Sequence, residues 1–167
     1  MRVLYSINKE DRPTKQEEVI MTTRVADILR HKGSRIVTIE PTTTVYDAIA
    51  KMVEHNVGSI LVIEEDTLCG IFTERDYLRR IILQGRTSKT TRIEDVMTKD
   101  VLQATPHSTI QECLAMMTSR RCRHLPVVEE GALVGLISLG DCVKELLGEA
   151  EARVQNLTDY ITGQYPA

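Results

Sequence analysis

Two spacings of apolar residues alternate along this chain, and each change of spacing marks a new element. Ile36-Val37-Thr38-Ile39 is β-branched and alternating, which predicts a strand ended by Pro41. Val45, Ala48, Ile49, Met52 and Val53 then fall on one face at the 3.6-residue period, and Thr44 with Asp47 has the form of a capping box before them. Val57-Gly58-Ser59-Ile60-Leu61-Val62-Ile63 is a near-continuous apolar run of strand length, which predicts a buried strand in parallel pairing. Glu64-Glu65-Asp66 reads as a turn into a further strand over 68–72, in hairpin relation to the last. Residues 73–83 read as a helix with Tyr77, Leu78, Ile81 and Ile82 inward, closed by Gly85. A short helix over 25–29 leads into this series.

The series then recurs at a constant offset of 65 positions. Pro41 returns as Pro106, Thr44 as Thr109, Met52 as Met117, Val62 as Val127 and Leu68 as Leu133. Gly70-Ile71-Phe72-Thr73-Glu74-Arg75-Asp76 returns as Gly135-Leu136-Ile137-Ser138-Leu139-Gly140-Asp141. The register holds without a gap from 38–78 onto 103–143. It predicts a strand over 101–104, a helix over 109–119, strands over 122–128 and 133–137, and a helix from Ser138. Ile93-Glu94-Asp95-Val96-Met97 parallels the earlier lead-in helix. Two copies are too few for a solenoid, so the expectation is two similar units that cover each other's open faces. The last helix runs past the repeat, because Val143, Leu146, Leu147, Ala150, Val154, Leu157 and Ile161 keep recurring at steps of three or four. Such a stripe needs a cover, and a second copy of the chain would supply one.

Composition narrows the class. The chain has 167 residues, 42% of them hydrophobic and 27% charged, which suits a globular domain with a proper core. Aromatics make up 4% and Trp is absent, so the core must be aliphatic. A formal net charge of -3 provides no bulk basic field for nucleic acid. No apolar run approaches membrane-spanning length, and the first residues lack a signal-peptide pattern, so a cytoplasmic location is expected. Cys69, Cys113, Cys122 and Cys142 form no C-x-x-C pair and are expected to be free, mostly buried thiols. Residues 1 to about 20 are polar and read as a mobile arm, although residues 3–7 could add an edge strand.

The residues carrying the repeat resemble a known family. Val37-Thr38-Ile39-Glu40-Pro41, Gly58-Ser59-Ile60-Leu61-Val62 and the Thr-x-x-Asp run ending at Asp76 are similar to the cystathionine β-synthase (CBS) domain. Arg123-His124-Leu125-Pro126-Val127-Val128 and the run ending at Asp141 match it a second time. Two in tandem resemble the CBS pair, or Bateman module. The resemblance covers roughly residues 22–148 and implies an α/β (mixed α+β) fold: two βαββα repeats about a pseudo-twofold axis, with a long C-terminal helix. The division it implies is an arm at 1–21, repeats at 22–84 and 93–148, a linker at 85–92 and a helical extension at 149–167.

The resemblance also implies a ligand. In that family each cleft between paired units can hold an adenine nucleotide, the Asp on the ribose hydroxyls and the Thr or Ser near phosphate. Here that implies Thr73 and Asp76 for one site and Ser138 and Asp141 for the other. It implies Thr38, Ile39, Val57 and Ser59 as further contacts in the first unit, and Gln103, Cys122, Arg123 and His124 in the second. Physical chemistry agrees with the role, since a strand-to-helix junction offers unpaired N–H groups to phosphate. Arg75, Arg79, Arg80 and Arg123 can add charge-assisted bonds. Taken alone, Thr-x-x-Asp is equally well explained as a helix cap. Arg79-Arg80 with Arg86, Lys89 and Arg92 could likewise be a solvated basic face. His124 replaces Ser59 at the shared offset, so the two clefts differ, and the more cationic Ser138/Asp141 side is the expected phosphate site. Gln103 stands where Thr38 does, which weakens the case for adenine recognition on that side.

No catalytic constellation stands out. There is no Walker sequence, G-x-G-x-x-G or H-E-x-x-H, and His31, His55, His107 and His124 are scattered. The expectation is a non-enzymatic regulatory module without a catalytic cofactor. It would bind AMP, ADP, ATP, NAD(H) or S-adenosylmethionine, with AMP foremost, form a homodimer through its modules, and signal to a separate partner protein. The alternative is a constitutive scaffold with empty clefts. Neither nucleic acid nor a membrane is an expected partner.

Overall fold

The computed structural model describes residues 23–33 and 36–162. The arm at 1–21 and the optional edge strand at 3–7 lie outside the described residues. The order of elements is α1 (Val25–Lys32), β1 (Thr38–Ile39), α2 (Val45–Glu54), β2 (Ser59–Glu64), β3 (Thr67–Thr73) and α3 (Glu74–Asp76). α3 continues as a π-helix over Tyr77–Ile82, and a 3-10 turn follows at Ile93–Asp95. The second repeat supplies α4 (Ile110–Arg120), β4 (His124–Glu129), β5 (Ala132–Ser138) and α5 (Leu139–Thr162).

The two repeats pair their strands alike. β2 runs parallel to β1 (Thr38 opposite Leu61) and antiparallel to β3 (Ser59 opposite Thr73). β4 and β5 repeat the hairpin, with His124 opposite Ser138, and both hairpins carry a bulge at the same place, after Val62 and after Val127. The strand expected over 101–104 shrinks to a single parallel bridge, Ala104 to Val127. Residue 126 explains the loss. In repeat 1 the N–H of Leu61 donates to the carbonyl of Val37 at 3.2 Å. The corresponding residue in repeat 2 is Pro126, which has no N–H to give.

The apolar residues gather in two cores, one per repeat. Phe72, Ile60, Val62, Val45, Met52 and Ile81 centre the first; Leu125, Val127, Ile137, Ile110 and Met117 centre the second. The lead-in segments, however, are exchanged. Val25 and Ile28 of α1 precede repeat 1 but are buried in the core of repeat 2. Ile93, Val96 and Met97 precede repeat 2 but are buried in the core of repeat 1. Backbone bonds hold each swap. Val25 N–H donates to Ser108 O and Ile93 N–H to Thr43 O, both at 2.9 Å, and Thr98 pairs with Ile71 in both directions. The chain is thus two βαββα units, the first strand of the second reduced to one bridge, packed about a pseudo-twofold axis and tied by crossed leads.

Two expectations about helix faces are corrected. Ile81 is fully buried and Tyr77 packs on the same core, but Leu78 and Ile82 are 57% and 54% exposed. Residues 77–82 are wound with i to i+5 bonds, Leu83 N–H to Leu78 O and Arg86 N–H to Ile81 O, each at 3.0 Å. Tyr77 and Ile81 meet the core while Leu78 and Ile82 face outward, the same division that Cys142 and Leu146 against Val143 and Leu147 show in α5. Val53 is 74% exposed, at the rim of the α2 stripe in its last turn, where no element covers it. The cysteines are free, with Cys113 and Cys142 buried and Cys69 and Cys122 half-buried. No helix among the described residues is long and apolar enough to cross a membrane.

Candidate functional site

Each repeat ends its hairpin on a hydroxyl residue three positions before an aspartate in the next helix, and the same closed ring forms twice. In repeat 2 the N–H and Oγ–H of Ser138 donate to Oδ2 of Asp141 at 2.7 and 2.8 Å. The N–H of Asp141 donates back to Ser138 Oγ at 3.2 Å. In repeat 1 the corresponding bonds from Thr73 to Asp76 measure 3.0 and 2.8 Å, and the return bond 3.2 Å. The rings cap the helices and hold each carboxylate at the mouth of its strand end, with α5 and α3 presenting their first turns there.

The aspartates differ in the cation that answers them. Lys32, the last residue of α1, places its Nζ 2.6 Å from Asp141 Oδ2 and donates to Leu136 O at 3.2 Å. Asp76 instead has Arg80, with Nε 3.6 Å from Oδ1. Arg80 is anchored elsewhere, donating to Val96 O at 2.6 Å and to Thr98 Oγ1 at 3.2 Å. Burial alone would raise the Asp141 pKa, but hydrogen bonds from Lys32 and Ser138 outweigh it and hold the carboxyl below its ordinary value. His124 stands directly across from Ser138 in the hairpin and is half-buried. Burial, then the charges of Lys32 and Arg123, push its pKa down against the opposing pull of Asp141 and Glu74.

Glu74 belongs to repeat 1, so its field at His124 records that the two strand ends lie near each other. Arg75 makes the same crossing, its guanidinium donating to the carbonyl of Arg121 at 3.2 Å. Arg123 ties the start of β4 to α5 by accepting the N–H of Leu139 at 2.8 Å, and Gly58 does so in repeat 1 for Glu74 at 3.2 Å. Ser59 faces Thr73 but is only 2% exposed, whereas the matching His124 reaches the surface.

The expected residues therefore divide. Ser138, Asp141, His124 and Arg123 form one group with Arg75 nearby; Thr73, Asp76 and Ser59 form its counterpart. Val57 and Cys122 sit just before β2 and β4, half-buried against the two cores. Thr38 and Ile39 do not join these groups. They stand beside Leu61 and Val62 in the middle of β2 and line a cavity of about 760 Å³ that lies toward Glu64. Glu40, Asp47, Glu64, Glu65 and Asp66 share that cavity with Lys51, so its field disfavours phosphate. Gln103 is exposed, at the position matching Thr38. Lys32 and Glu74 were not among the expected site residues. Nothing in the repeat pattern signals Lys32, because only the exchange of lead-in helices carries it to repeat 2. No group of three His, Cys, Asp or Glu among the described residues is placed to hold a metal ion.

Comparison with known proteins matches residues 19–83 and 93–148 to the CBS domain. A mitochondrial CBS domain-containing protein of Arabidopsis thaliana, CBSX3, is 36% identical over 98% of this chain and 84% of its own length. The structure of a putative signal-transduction protein with CBS domains from Burkholderia ambifaria is 46% identical, has a TM-score of 0.73, and is matched over 75% of this chain and 95% of that one. A CBS domain pair, that of protein MJ0100, solved with 5'-methylthioadenosine and S-adenosyl-L-methionine, shares the fold at a TM-score of 0.68 and 23% identity, over 77% of this chain and 98% of that one. With both of its repeats matched and a relative similar over nearly its whole length, this chain belongs to the CBS domain family, as a tandem pair.

Proposed function

We propose that this CBS pair is a regulatory module that binds an adenine-containing nucleotide at the Ser138/Asp141 strand end and signals to a separate protein. The observation that carries the reading is the half-buried Asp141 carboxylate, held by Ser138 and flanked by Lys32, His124 and Arg123. A carboxylate held in that way can accept two ribose hydroxyls, and the cations and the α5 N-terminus can take a phosphate. The adenosine ligands of the MJ0100 pair support the same class of ligand. AMP is the first candidate, then NAD(H), ATP and S-adenosylmethionine. The Thr73/Asp76 end is the weaker site, since Ser59 is buried and Arg80 is held by Val96 and Thr98.

No turnover is part of the proposal. Ligand binding biases a partner only through different affinities for two states of the module. A second copy would cover the exposed apolar positions that the repeats share, Leu78 with Val143 and Ile82 with Leu147, giving a homodimer. The cytoplasm is the proposed location, with fractionation as the check, since the Arabidopsis relative is named as mitochondrial. The test of function is thermal melting of nucleotide-stripped protein with AMP, ADP, ATP, NAD(H) and S-adenosylmethionine. A ligand at a hundred times its dissociation constant should add about 2.7 kcal/mol. A shift with one of them that Asp141→Ala abolishes supports the proposal; no shift with any of them makes the module a constitutive scaffold.

A further inference from the structure

One oxygen of the Asp141 carboxylate already has its hydrogen bonds filled before any ligand arrives. Oδ2 takes the N–H and O–H of Ser138 and the ammonium of Lys32, three donors on one oxygen. A ribose diol that took both oxygens of this carboxylate would have to compete with Lys32 at Oδ2. The competitor comes from outside the repeat, because α1 precedes repeat 1 and packs on repeat 2. The helix carrying Asp141 has no cation of its own in that place: Glu145 stands where Arg80 stands in repeat 1. The two cations also differ in freedom. Arg80 is fixed by a carbonyl and a hydroxyl besides its aspartate. The Lys32 side chain is 39% exposed, and among the described residues its hydrogen bonds beyond Asp141 amount to one, to a carbonyl at 3.2 Å. An ammonium on a flexible four-carbon stem can swing to a new anion with little else disturbed.

We propose that Lys32 is a movable counter-ion that makes the Ser138/Asp141 site select phosphate-bearing nucleotides over neutral nucleosides. This rests on the nucleotide reading of the site given above. A neutral adenosine that takes Asp141 leaves the ammonium without its carboxylate, and it binds at a penalty. A nucleotide offers a phosphate to the same ammonium, so one charge pair is exchanged for another. Lys32 therefore weakens the nucleoside and strengthens the nucleotide, and both effects act on one ratio.

The experiment is a direct titration of the full chain with AMP and with adenosine, for the natural protein and for Lys32→Met and Lys32→Arg. The natural protein should prefer AMP. In Lys32→Met adenosine should bind more tightly and AMP less tightly, so that the preference falls about tenfold or more, the scale of one charge-assisted hydrogen bond. Lys32→Arg keeps the charge and should keep the preference. A Lys32 that only fastens α1 to repeat 2 would lower the melting temperature in Lys32→Met and leave the ratio unchanged, which overturns the inference. Equal binding of AMP and adenosine by the natural protein overturns it too, while the nucleotide site stands. Binding of neither, nor of any nucleotide in the melting panel, overturns the nucleotide reading and this inference with it.

Discussion

His124 stands across one hairpin from Ser138, the residue that holds Asp141, and both His124 and Asp141 are held in the form that neutral pH provides. The Asp141 pKa is lowered in the folded chain, so its contribution to stability is complete above its ordinary value of 3.8 and is lost as pH falls through the lower folded value. The His124 pKa is also lowered, so the folded chain favours neutral imidazole. Its contribution is complete above the ordinary 6.5 and is lost as pH falls through the depressed value. The charged groups that act on it are Lys32, Arg123, Asp141 and Glu74. The melting temperature should therefore fall on acidification from pH 7 toward 5, and His124→Gln should flatten the fall; an identical profile in the variant would contradict this account. At the neighbouring position Ser138→Ala removes a helix cap and should cost about 0.5–2 kcal/mol in urea unfolding. The Thr-x-x-Asp ring itself was legible in the sequence, since a hydroxyl three residues before an aspartate has a defined local geometry. Lys32 was not, because its partner lies more than a hundred positions away and the repeat offset does not relate them.

Among the elements, the exchanged leads decide what a substitution disturbs. Ile28 is 4% exposed within the core of repeat 2, although it precedes repeat 1 in the chain. Ile28→Ala should cost about 2–5 kcal/mol, and hydrogen exchange should quicken first in β4 and β5 rather than in β2 and β3. Faster exchange confined to β2 and β3 would contradict the crossed packing. Gly70 gives a second probe, from the other lead. A Cβ there would stand 2.4 Å from Met97 Sδ and 3.1 Å from Thr98 O, so Gly70→Ala must push the second lead off β3. It should cost about 1–3 kcal/mol in urea unfolding. Hydrophobic period revealed that α1 and residues 93–97 have apolar faces, but a period does not name the core that receives them. The missing strand of repeat 2 was legible in principle, because Pro126 can give no ladder bond. The exposure of Leu78 and Ile82 was not, since an apolar spacing does not say which of two adjacent apolar rows on a helix meets the core of its own repeat.

Over the whole molecule, the pseudo-twofold axis explains why exposed apolar residues come in pairs. Leu78 and Ile82 on one repeat match Val143 and Leu147 on the other, and Val154, Leu157 and Ile161 extend the stripe along α5. The cavity beside Val143 and Leu147, about 500 Å³, lies on that same face. A monomer would leave all of this in water. The mass in solution should be that of a dimer, and Leu147→Asp should shift it toward the monomer while the far-UV spectrum stays unchanged. A strict monomer at high concentration would contradict the proposed dimer without touching the nucleotide site. The fold at this scale was the most legible part of the sequence, since a gapless offset of 65 fixes two like units and their symmetry.

The claim on which the account rests is that an adenine nucleotide binds at Asp141. Calorimetric titration of nucleotide-stripped protein with AMP, beside Asp141→Asn and Asp76→Asn, tests it most directly. The account predicts saturable binding that Asp141→Asn weakens about tenfold or more, the scale of hydrogen bonds to a charged group, and that Asp76→Asn largely retains. Binding that is equally strong in Asp141→Asn would contradict it.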